Sequence, residues 1–130
     1  MSNTFTRSRD GEFVEICRNI LRELPERQLM PAKTLAQLAL RVRPRHFYAS
    51  EASASKVYAA YLLGRVPDKD DGFWIDFCRN VDAVLRQRPW LDPAFGIRYT
   101  LAFRRPTSFH ISLRSAMRII QKHLRPSLEP

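Results

Sequence analysis

At 130 residues, with 45% hydrophobic content and only four glycines, the chain reads as folded rather than disordered, sized for one ordinary domain or two half-size units that share a core. Its net charge is +9 and its sequence pI about 10.4, and 18 of its 22 basic residues are arginine. That balance calls for a polyanionic partner, nucleic acid ahead of an acidic protein or an anionic membrane surface. The longest apolar run, Val57 to Leu63, is far short of the roughly 20 residues a span needs, so the expectation is a cytoplasmic protein with neither leader nor membrane role.

In chain order, residues 1–10 read as a disordered lead. Helix A is predicted over 11–24, where Phe13, Ile16, Cys17, Ile20, Leu21 and Leu24 form one apolar stripe and Pro25 stops the helix. Helix B is predicted over 31–42, with Pro31 at the first helical position. Arg43-Pro44-x-x-Phe47-x-x-Ser50 follows. The proline forces an extended connection, Phe47 plugs it to the core, and Ser50 caps helix C, expected over 51–63. Residues 64–71 form a turn-rich linker ending in acids, which suit the start of the next helix.

The same order then returns. Trp-Ile-Asp-Phe-Cys-Arg-Asn-Val at 74–81 matches Phe-Val-Glu-Ile-Cys-Arg-Asn-Ile at 13–20, and Arg105-Pro106-x-x-Phe109-x-x-Ser112 matches the earlier loop. Pairing 11–24 with 72–85 and 29–63 with 91–125 gives 15 identities in 49 pairs, with the single extra residue in a loop that tolerates it. The second set of helices is expected at about 72–86, 93–103 (Asp92 as N-cap) and 113–125, followed by a loose tail, 126–130. The predicted fold is all-α: a tandem duplication of a three-helix unit (helix A, helix B, extended loop, helix C), over 11–63 and 72–125, packed as one compact domain. The copies are related by a pseudo-twofold axis or stacked.

Residues kept by both copies are candidates for structure. Cys17 and Cys78 read as small buried hydrophobes rather than a disulfide or zinc site. Charge is unevenly spread: there is no acid from Arg27 to Ser50 or from Pro93 to Leu128. Arg114, Arg118, Lys122 and Arg125 fall at i, i+4, i+8 and i+11, a basic face opposite Ile119, Ile120 and Leu124. Ser112 and Ser115 lie near the N-terminus of this helix, where backbone donors favour phosphate. Lys56 is the sole counterpart in the first copy, which contributes mainly through Arg41, Arg43 and Arg45.

Catalytic patterns are poor. Ser50 and Ser112 belong at caps, His46 and His110 occupy non-equivalent loop positions as surface or packing residues, and carboxylates are few and mostly on outward positions of helix A. There is no phosphate-binding loop, dinucleotide fingerprint or metal-ligand spacing. The helix B–loop–helix C connection, about eight residues long, exceeds a helix-turn-helix turn, so no family is assigned.

The expected function is a small basic, non-enzymatic nucleic-acid-binding protein, DNA ahead of RNA, without cofactor, metal or small-molecule substrate. Its phosphate contacts would come from Arg41, Arg43, Arg45, Lys56, Arg104, Arg105, Arg114, Arg118, Lys122 and Arg125. The rival readings are a protein-interaction adaptor docking an acidic partner, a homodimer built on an apolar surplus of Trp74, Trp90, Tyr58 and Tyr61, and an accessory component of a ribosomal or viral nucleoprotein assembly.

Overall fold

The structure, a computed structural model, describes residues 8–25, 29–65 and 72–128, with side chains through residue 124. Among these residues it is all-helical and without strands. The helices are α1 (Arg9–Arg22), α2 (Ala32–Ala39), α3 (Glu51–Leu62), α4 (Phe73–Gln87), α5 (Pro93–Phe103) and α6 (Leu113–Leu128). The predicted lead lies outside the described residues at positions 1–7. Its last part is ordered, however: the Ser8 side chain accepts a hydrogen bond from Gly11 N at 2.9 Å and opens α1, whose first turn carries Asp10 and Glu12. The helix ends at Arg22, ahead of Pro25, because a proline pushes the residue before it out of the helical region.

Local cap chemistry sets most other starts. Ser50 and Ser112 accept from Ser53 N at 3.1 Å and Ser115 N at 3.0 Å. Asp92 accepts from Phe95 N at 3.0 Å, with Pro93 at the first helical position. Pro31 differs from expectation. It occupies the cap itself, with ψ at 147° and no side-chain bond to offer. Its helix is short, ending at Ala39 rather than near 42, and Arg41 N and Val42 N close tight turns back to Leu38 O and Ala39 O. At the end of α3, Gly64 (φ 83°) takes the left-handed position, where its N–H donates to Tyr61 O and that of Arg65 donates to Ala60 O. Residues 66–71 of the predicted linker lie outside the described residues. α6 runs three residues beyond its predicted end, through Pro126 to Leu128. Proline's fixed φ suits a helix, at the loss of one backbone bond.

Contacts divide the chain into two compact units, Met1–Pro44 with Ile111–Pro130, and Arg45–His110. They cut across the two similar segments. The first unit groups α1 and α2 with α6; the second groups α3 with α4 and α5. Helix C of each segment thus packs with helices A and B of the other. The extended Arg-Pro connection makes this possible, because stretched residues carry the chain about 3.3 Å apiece away from helix B.

In the first unit the buried residues are Phe13, Val14 and Cys17 of α1, Leu35, Ala36 and Ala39 of α2, and Ala116, Ile120 and Leu124 of α6. In the second, Phe47, Ala54, Tyr58, Phe77, Cys78, Val81 and Ile97 form the core, with Trp74 and Tyr61 packed against it. Phe47 meets Phe77 edge-on at 5.3 Å, as a loop plug should. α4 and α5 cross closely at Gly96, where an added Cβ would lie 2.7 Å from Leu85 Cδ2. Both cysteines are free and buried, and burial raises the Cys17 thiol to about 12 and, with a smaller contribution from Asp82, that of Cys78 to about 11.

Candidate nucleic-acid interface

α6 is amphipathic in the sense expected. Ala116, Ile120 and Leu124 are buried, while Arg114, Arg118 and Lys122 are exposed. These three stand at four-residue intervals, about 6 Å apart along the axis, and so form a single row. The first turn holds no acid, and among the described residues no carboxylate pairs with any of the three. The Arg125 side chain lies outside the described residues. At the helix start the Ser112 hydroxyl donates to Ser115 Oγ at 3.1 Å while accepting from Ser115 N, so both serines are engaged in the cap.

The remaining candidates divide between the units. Arg41 and Arg43 follow α2, which packs on α6, and both are exposed. The first unit therefore gathers Arg41, Arg43, Arg114, Arg118 and Lys122. Arg45, Lys56, Arg104 and Arg105 belong to the second. All of these are exposed except Arg104, which is half-buried and donates from Nε to Asn80 Oδ1 at 2.9 Å. Its guanidinium holds the loop in place, leaving less of it for phosphate.

That bond belongs to a network the charge pattern did not reveal. Asp76, on α4, is only 9% exposed. Its Oδ2 accepts from Thr107 N at 2.8 Å, Thr107 Oγ1 at 3.0 Å and His110 Nε2 at 2.8 Å. Asn80 Nδ2 donates to Oδ1 at 3.0 Å and to the Asp76 carbonyl at 2.8 Å. Donors from both sides thus satisfy a carboxylate that burial would otherwise penalise. The network ties the loop after α5 to α4. It also holds His110 at φ 55°, a left-handed conformation rare outside glycine. The His110 ring lies edge-on to Phe73 beside the Gly72 backbone. This corrects the expectation that carboxylates of the helix A segments face outward: Asp76 and, on α1, Glu12 at 3% exposure are both buried.

A second, partly buried anchor joins α3 to α4. Tyr58 and Tyr61 stack, and their hydroxyls donate to the two oxygens of Asp82 at 2.7 and 2.8 Å. Burial, followed by the Asp82 bond, raises the phenol of Tyr58, and the Asp82 bond is the chief cause for Tyr61. Tyr58 therefore belongs to the core of the second unit and Tyr61 and Trp74 pack against it, and of the apolar surplus named above only Trp90 is freely exposed. Among the described residues no cluster of His, Cys, Asp and Glu is placed to hold a metal ion, and no helix is long and apolar enough to cross a membrane. Comparison with known proteins finds no matching family model, curated protein or solved structure.

Proposed function

We propose that the chain is a small, non-enzymatic nucleic-acid-binding protein of the cytoplasm, with DNA ahead of RNA as its target. Its phosphate-binding surface would be the exposed row on α6, extended by Arg41 and Arg43 of the same unit. The observation that carries this reading is the row itself: three cations on one face with no opposing carboxylate among the described residues. A stable fold has no use for an unneutralised row of like charges, whereas phosphates spaced along a backbone do. Arg45, Lys56 and Arg105 would make further contacts. We also infer that the two similar segments are tandem copies of one three-helix unit. The paired cap serines and the paired buried Pro44/Pro106 and Phe47/Phe109 support that history.

The test is a mobility-shift titration on DNA across a salt series. Neutralising about three phosphates through α6 gives a slope near −2.7 in log affinity against log salt on duplex. Affinity that stays flat from low to moderate salt would sink the mechanism. Arg114→Glu with Arg118→Glu should weaken binding by about tenfold or more and flatten the slope. Arg18→Glu with Arg79→Glu, equally exposed on α1 and α4, should have a smaller effect. The adaptor reading draws support from exposed Leu62, Leu63 and Trp90 in the second unit. It predicts a sharp dimer, or capture of an acidic protein, with no nucleic acid retained at low salt.

A further inference from the structure

α5 carries an aromatic flank that the phosphate-binding residues above do not use. Phe95, Tyr99 and Phe103 recur at every fourth position, so their rings succeed one another at about 6 Å along the axis. The helix turns Gly96, Ile97 and Thr100 into the core of the second unit instead. Phe95 is 54% exposed and Phe103 71%, while Tyr99 is half-buried, with its ring 4.9 Å from that of Phe103. Two arginines attend the flank: Arg88 Cζ lies 4.5 Å from the Tyr99 centroid and Arg98 Cζ 5.5 Å from that of Phe95. Arg98 is held there by Glu51, whose Oε2 accepts its Nε at 2.8 Å.

We propose that this flank is a stacking platform for the bases of single-stranded DNA, with the exposed rings of Phe95 and Phe103 as its stacking faces. The proposal rests on the nucleic-acid reading above and narrows it to an unpaired strand on this helix. Three observations select that occupant. The flank is aromatic rather than aliphatic, and a ring face accepts any base. The Arg88 guanidinium, which no carboxylate pairs with among the described residues, sits against the Tyr99 ring, where a strand stacked on the flank would bring its phosphates. The chain carries no acid from Pro93 to Leu128, and of the two carboxylates that do reach the flank, Glu51 is paired with Arg98 and Asp92 accepts from Phe95 N in the α5 cap. A second copy of the chain fits less well, because pairing two such flanks sets Arg88 and Arg98 against their own copies on chains already at +9. A duplex also fits less well, since its base faces are covered by their neighbours.

The experiment compares a fluorescein-labelled oligothymidylate of about 20 nucleotides, long enough to cover a binding site of ordinary size, with a mixed-sequence duplex of equal length, by fluorescence anisotropy at low salt. The proteins are wild type, Phe95→Ala, Phe103→Ala and the double variant. Circular dichroism confirms that each keeps the wild-type fold, as exposed rings allow. Each substitution should lower oligothymidylate affinity about tenfold and duplex affinity by less than about twofold. Phe95→Trp and Phe103→Trp should keep wild-type affinity, and Arg114→Glu with Arg118→Glu should weaken binding of the duplex. Equal losses on strand and duplex, or none on either, overturn the platform and leave the phosphate reading standing. A wild type that binds neither probe overturns both. A wild-type dimer made monomeric by the double variant, with strand affinity unchanged, assigns the flank to a second copy and overturns the platform.

Discussion

At the scale of single residues, Asp76 decides how the second Arg-Pro loop is held. Removing its carboxylate takes away the acceptor of the Thr107 N–H and of the His110 ring, and leaves the Asn80 amide only the Asp76 carbonyl. It also releases His110 from the contact that offsets its left-handed backbone. Asp76→Ala should therefore cost about 3 kcal/mol, read as a lowered urea midpoint, and should speed hydrogen exchange at the Thr107 amide in particular. Glu15→Ala, at the matching position of α1 but exposed, should cost less than about 1 kcal/mol. Only part of this was legible beforehand. Asp76 and Glu15 are conservative partners in the pairing, and nothing in residue type tells which is buried. That depends on Thr107 and His110, which stand where the first loop has Arg45 and Tyr48. Arg104 misleads similarly: a charge count cannot distinguish an arginine tied to Asn80 from one free to meet a phosphate.

At the scale of the helix, caps carry information because their chemistry is local. Ser50→Ala and Ser112→Ala should each destabilise by about 1 kcal/mol, with Asp at either position restoring the cap, measured by urea unfolding. Ser50, Ser112 and Asp92 were all readable as helix starts, since a side-chain oxygen three residues before an N–H needs no tertiary partner. Helix ends were less so: α6 passes through Pro126 because packing along the rest of the helix outweighs one lost bond. The exposure of the α5 aromatic flank is not legible in the sequence either. Phe103 lies on helix B of the second segment, and periodicity shows an apolar stripe without showing whether a neighbour covers it.

For the molecule as a whole, alkali is the revealing condition. Burial is the main cause that raises Cys17 from 9.0 to about 12 and Cys78 to about 11, and Tyr58 and Tyr61 both lie above 10.0. All four groups are neutral in the fold and ionise more readily once unfolded. Their contribution to stability is complete below about pH 9 and is lost as pH rises through the folded values. Urea midpoints should be level from pH 7 to 9 and fall above it. Cys17→Ala with Cys78→Ala should make that fall shallower, whatever the variant costs in packing. The grouping of helices belongs to this scale too, and it could not be read from the pairing of segments. Segment order says which helices resemble one another; only the long extended connections, Leu40–Ser50 and Arg104–Ser112, hint that helix C is free to pack elsewhere.

That grouping sets an order for the newborn chain. The second unit is one contiguous stretch, Arg45–His110, whereas the first is completed by residues from Ile111 onward. Synthesis runs at about 5–20 residues per second, so α1 and α2 wait on the order of ten seconds before α6 exists to cover Phe13 and Leu35. The middle of the chain can close as soon as it is made. A ribosome that pauses before Leu113 holds a finished second unit while the apolar faces of α1 and α2 still lack α6, the state most exposed to aggregation and most in need of a chaperone.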